Sequence, residues 1–186
     1  MLRENDPALG SRTASIRLNS ERRDLIKAWI AAALWIGIIA VESTDWLSAE
    51  HTGHFLYPIF HFLLGMDVAR FESFHHYLRK IGHFVGYFAL SALLFRAWKN
   101  TLHIPASGWT LRWAGIALGM TVLVAGLDEW HQTFIPSRTG RFADVVLDSS
   151  AALTAQVLIF FFVLYRGPRS KVGSRRQVVQ RRVARP

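Results

Sequence analysis

FADVVLDSSAALTAQVLIFFFVLY, residues 142–165, opens with two carboxylates four residues apart and ends in an almost unbroken hydrocarbon run. As a helix this stretch rises roughly 36 Å, enough to cross a hydrocarbon core about 30 Å thick. Its second half, LTAQVLIFFFVLY, carries no charge, and FFF at 160–162 suits lipid contact better than a cofactor cage. The stretch therefore reads as a transmembrane helix whose polar entrance needs a separate explanation.

Three further segments meet the same length requirement. They are residues 25–44 around AWIAAALWIGIIAV, residues 80–98, and residues 110–131. The fold class that follows is an all-α integral membrane protein, a bundle of four transmembrane helices. GHFLYPIFHFLLGM, residues 53–66, is apolar but short and carries His54, Pro58 and His61. Runs of about 10–14 residues lie in the interface or inside protein more often than they span, so this one reads as a short interfacial or re-entrant helix.

The chain divides into a basic N-terminus (1–24), a membrane domain (25–165) and a basic tail (166–186). Both ends carry much charge and few large apolar residues and are expected to lack fixed structure. The first apolar run starts too late for a cleaved signal peptide and is expected to serve as a retained anchor. Lys and Arg number 22 against 13 acidic residues, and they cluster in the two ends and in the 99–112 connection. The positive-inside rule puts those segments in the cytoplasm, which requires an even number of spans. The other connections then face outward, with Glu42, Asp45, Asp67, Glu72 and most of the histidines. Basic ends attract anionic lipid, and with no recognition motif beside them nucleic acid is not an expected partner. The absence of cysteine excludes disulfides, thiol catalysis and zinc-thiolate sites.

Polar groups gather at the outward end. Asp128 and Gln132 share a helix face with Glu129 on its flank, and Asp144 and Asp148 sit at the start of the last span, where the helix dipole favours carboxylates. Between them PSRTG (136–140) and Arg141 make a short turn, so the two helices are antiparallel neighbours. Arg138 and Arg141 are placed to fold back onto the carboxylates, since an arginine fork grips carboxylate or phosphate. Lys80, His83 and Tyr87 form one stripe at the same level, and Gly82 and Gly86 would permit close helix contact. Trp46, Trp98, Trp109 and Trp130 fit interface belts. His51, His54, His61, His75 and His76 are irregularly spaced and read as interfacial histidines on a loop.

Lys80, His83, Phe84, Tyr87 and Leu90, with Asp128, Glu129, Gln132, Phe134, Pro136, Arg138 and Asp144, match two motifs at fixed spacing. On these residues the chain resembles the VanZ-like family of small bacterial membrane proteins, named for a teicoplanin-resistance protein. Ser137 stands where that family usually has Gly, Asp148 where it usually has Asn, Ala151 where Gly is common, and Gly86 where many members carry Glu. The resemblance implies a multi-pass protein of the bacterial cytoplasmic membrane that acts at the envelope and affects glycopeptide susceptibility.

Ionisable groups beside hydrocarbon-length helices are costly and are seldom kept without a task. The expected function is binding, with modification as an extension, of an anionic lipid-linked envelope component. Lys80, Tyr87, Gln132, Arg138, Arg141, Asp144 and Asp148 would form the binding site. An enzyme would use His83 as acid or base, with Asp128 or Glu129 orienting it. A structural or partner-binding subunit would use the same cluster only as a helix latch. No cofactor is expected. A divalent cation is the alternative occupant, with Asp128, Glu129, His131, Asp144, Asp148 and His83 offering ligands, although no metal motif is present and the arginines count against it. The partners that remain are membrane lipids and a lipid-linked envelope precursor.

Overall fold

The computed structural model describes residues 7–102, 109–136 and 138–166. Helix α1 spans Pro7–Glu42, α2 Ala49–Leu64, α3 Val68–Thr101, α4 Leu111–Gln132 and α5 Phe142–Arg166. A single 3-10 turn, Asp45–Leu47, joins α1 to α2. Among the described residues, four helical segments are long and apolar enough to cross a membrane: Ser15–Glu42, Val68–Thr101, Leu111–Gln132 and Phe142–Tyr165. The chain is an all-α multi-pass membrane protein, as its apolar runs imply.

Helix α3 is the hub, packing on α1, α2, α4 and α5, while α4 and α5 also pack on each other. Small side chains do most of the close packing. Ala97, Ala117, Ala125, Ala151, Ala152 and Ala155 have no exposed surface. Between membrane helices, where lipid tails are as apolar as leucine, such residues let backbones approach and gain van der Waals contact. The expected contact at Gly82 and Gly86 does not form, since a Cβ at either would meet nothing within 4 Å. Trp35 instead reaches the Gly86 main chain, its Nε1 donating to the carbonyl at 2.8 Å. A buried polar clasp reinforces α3 against α5. Gln156 Nε2 donates to Ser91 Oγ at 2.8 Å, and Ser91 Oγ donates to the Ala152 carbonyl at 3.1 Å. Leu34, Leu123, Leu127, Phe161 and Phe162 point away from the bundle, forming the surface a bilayer would cover.

At the end of the bundle where α3 terminates, α1 is tied to α3. Trp29 Nε1 donates to Thr101 Oγ1 at 2.9 Å, and the Trp29 and Trp98 rings meet edge to face at 5.5 Å. Trp46 and Trp130 are exposed at the opposite, polar end.

Two boundaries differ from the reading of the sequence. Residues 7–24, expected to lack fixed structure, continue α1 as helix, because Arg, Leu, Ser and Glu there include good helix formers and no proline interrupts them. The tail from 167 onward lies outside the described residues. Helix α3 starts at Val68 rather than near residue 80. Gly65 closes α2 in the left-handed conformation with φ of 63°, and the Asp67 carboxylate accepts from Arg70 N at 2.8 Å to cap α3.

The histidines read as a loop cluster therefore sit on helices, with His51, His54 and His61 on α2 and His75 and His76 on α3. His75 is buried. Its Nε2 lies 3.1 Å from Thr52 Oγ1, and its ring stacks on Phe71 with centroids 5.4 Å apart. Helix α2 is the short helix expected over 53–66. It is not among the spanning helices, and it sets Tyr57 and Phe60 against Phe71 while Phe55, Ile59 and Phe62 stay exposed.

Candidate functional site

The C-terminal ends of α1 and α4 meet the N-terminal parts of α3 and α5, because successive spans run antiparallel. All the carboxylates that abut the apolar runs of α4 and α5 collect there. On α4 the four-residue spacing of Asp128 and Gln132 turns both inward, and Glu129 follows on the flank; all three are buried. Tyr87 Oη donates to Asp128 Oδ2 at 2.9 Å, and Gln132 Nε2 donates to the same oxygen at 3.3 Å. Asp128 is thus a satisfied acceptor joining α3 to α4.

Glu129 faces the α4–α5 turn, where its Oε2 accepts from the backbone N–H of Arg141 at 2.7 Å. Gly140 makes that approach feasible. A Cβ there would collide with the Glu129 carbonyl oxygen and with Thr133 Cγ2. Lys80 Nζ lies 2.5 Å from Asp144 Oδ1, pinning α3 to the first turn of α5.

Arg138 does not reach a carboxylate. Its guanidinium donates to the main-chain carbonyls of Glu42 at 2.5 Å and Thr44 at 2.8 Å. The last carbonyls of a helix have no partner inside it, and Nη2 of this arginine on the facing turn supplies one to the end of α1. Burial is the largest influence on Arg138 and lowers its pKa, while the charges of Asp128, Asp45, Glu129 and Glu42 raise it. A guanidinium stays protonated in either case. Its Nε is buried without a hydrogen bond.

Asp148 is the least satisfied member of the group. Its side chain has no exposed surface, and both carboxylate oxygens lack hydrogen-bond partners. His83 Nδ1 stands 3.6 Å from Oδ2 and is the nearest cationic candidate. The His83 ring also lies 6.3 Å from that of Tyr87, nearly parallel to it. Of the carboxylates expected to orient His83, Asp128 is committed to Tyr87 and Gln132, so Asp148 takes the facing position.

A cleft of about 190 Å³ opens above these groups. Its walls are His76, Arg79, Lys80 and His83 from α3, Glu129 and Gln132 from α4, Arg138, Thr139 and Arg141 from the turn, and Asp144 and Leu147 from α5. It is smaller than the roughly 300–1,000 Å³ of pockets that enclose drug-sized ligands. It has room for a small anionic group, not for a whole lipid. Lys80, His83, Glu129, Gln132, Arg138, Arg141 and Asp144 all line it; Asp128, Tyr87 and Asp148 lie beneath. Among the described residues the Arg141 side chain forms no ion pair or hydrogen bond. His131 is exposed and turned away.

Arg79 and His76 line the cleft although the sequence reading assigned them no role there. The available signal was helical spacing, since His76 and Lys80, and Arg79 and His83, are each four residues apart once α3 is known to extend past residue 80.

A model of the VanZ/LLP1 family matches residues 28–164, the membrane helices and the whole polar end. No curated protein and no solved structure matches the chain.

Proposed function

From the premise that the chain belongs to the VanZ/LLP1 family, we propose that it binds the anionic group of a lipid-linked envelope component in the cleft at its polar end. The supporting observation is the charge of the walls. Arg79, Lys80, Arg138 and Arg141 face two carboxylates, Glu129 and Asp144. The surplus is positive beside apolar helices, where an anion tethered to a lipid tail could lie with its tail along the bundle. Arg141, whose guanidinium is uncommitted, is the direct ligand for phosphate or carboxylate. Lys80 shares itself between Asp144 and the anion, and Arg138 holds the wall in place from behind.

On the same reading the polar end faces outward from the cytoplasmic membrane and both termini are cytoplasmic, in keeping with the basic ends and the 99–112 connection. An effect on teicoplanin susceptibility would follow from sequestering or altering an envelope precursor. The Arg138 contacts with α1 and the Lys80–Asp144 pair favour one second reading, a structural latch that holds a partner-binding subunit together. Native mass spectrometry of the detergent-purified chain separates the two. Binding predicts a co-purified anionic lipid-linked species whose occupancy falls several-fold in Arg141→Ala with an unchanged melting temperature. A latch predicts no such species in the wild type.

A further inference from the structure

We propose that His83, Glu129 and Asp148 form a binding site for one divalent cation of the Zn²⁺ or Mn²⁺ type at the base of the cleft. The three residues come from three helices, and one donor atom from each lies within 4.8 Å of the other two. Two ligands on opposite sides of such an ion, each at about 2.1 Å, are roughly 4.2 Å apart. Small side-chain rotations therefore close the set, and His83, whose side chain is 26% exposed, has room to make them.

The second observation is Asp148 itself. A carboxylate with no exposed surface and two unpartnered oxygens is a costly group to keep, and unsatisfied buried atoms of this kind call for a bound ion or water. A cation would supply what His83 alone, 3.6 Å away, does not. One imidazole and two carboxylates suit borderline divalent metals better than Ca²⁺ or Mg²⁺, which favour all-oxygen shells. The surroundings also hold the ligands. The Arg141 N–H fixes Glu129 Oε2 and leaves Oε1 available, as supporting hydrogen bonds do for carboxylate ligands. Nor do the neighbouring cations occupy the site, since Lys80 is paired with Asp144 and Arg138 is bound to carbonyls. His83 and Glu129 face the cleft while Asp148 closes the floor, so the remaining coordination positions open toward the cleft.

This set is narrower than the six ligands the sequence suggests, and it stands without the lipid-binding reading. The test is titration of EDTA-stripped, detergent-purified full-length protein with MnCl₂, following free Mn²⁺ by electron paramagnetic resonance and then adding ZnCl₂ as competitor. Saturable uptake of one Mn²⁺ per chain, displaced by Zn²⁺, is expected. Asp148→Asn and His83→Gln should each raise Kd at least about tenfold. Arg141→Ala keeps its backbone N–H and removes a positive charge beside the site, so it should not raise Kd, and loss of lipid occupancy and loss of metal are read separately. Should Asp148→Asn fail to fold, His83→Gln decides alone. Absence of saturable uptake by the wild type, or uptake that survives both substitutions, overturns the site.

Discussion

Arg138 carries more of this structure than its place in a turn suggests, because it joins the α4–α5 connection to the end of α1 through two carbonyls. Hydrogen bonds from a charged donor contribute about 1.5–3 kcal/mol each when buried, though between membrane helices measured values average nearer 0.6 kcal/mol. Arg138→Ala should therefore destabilise the protein by about 1–3 kcal/mol, measured by thermal or denaturant unfolding in detergent. Arg138→Lys should recover only part of the loss, since its ammonium ends one bond short of the Nη2 that makes both contacts and is more strongly hydrated. Equal stability of Arg138→Ala and wild type would sink this assignment. Sequence identifies Arg138 as important but not its partner, because a guanidinium bonds carboxylates and carbonyls alike and the choice depends on where α1 stops. The shared face of Asp128 and Gln132 is legible from their four-residue spacing, but the hydrogen bond that Tyr87 brings to Asp128 from another helix is not. The facing of His83 by Asp148 was not, since it depends on how far α5 is rotated against α3.

At the scale of elements, the α4–α5 hairpin is limited by a single close approach. Gly140 sits so near the carbonyl of Glu129 that any side chain must push the turn away. Gly140→Ala should lower the melting temperature by several degrees and weaken the Glu129–Arg141 contact. Gly115→Ala, where the added methyl meets nothing within 4 Å, is the control; it should be neutral or stabilising, given the higher helix propensity of alanine. The opposite ranking would exclude this account of the turn. Helices α1, α4 and α5 are legible as apolar runs of spanning length. Helix α3 is only half legible. Its first turns, VARFESFHHYLRK, look like loop to a reading based on hydrophobicity, yet they are good helix-forming sequence started by the Asp67 cap. For the same reason His75 and His76, which lie on this helix, read as loop residues.

Across the whole molecule, four antiparallel spans bring every carboxylate of the cluster to one end, and under the positive-inside rule the charge of the other connections would turn that end outward. A tag on the C-terminus should be protected from externally added reagent in intact cells and become reactive once the membrane is opened; reactivity in intact cells would reverse the orientation. Helix α3, at 34 residues, rises about 51 Å and so overreaches a hydrocarbon core of about 30 Å. The excess stands at the polar end, where α2 packs against it and the cleft opens. The order of synthesis gives Asp148 another meaning. Helix α5 is synthesised after α3 and α4, and the acids at its start find their surroundings on those two helices. Its apolar run is of spanning length by itself, so what waits on α3 and α4 is the docking of its acid-bearing entrance rather than its insertion.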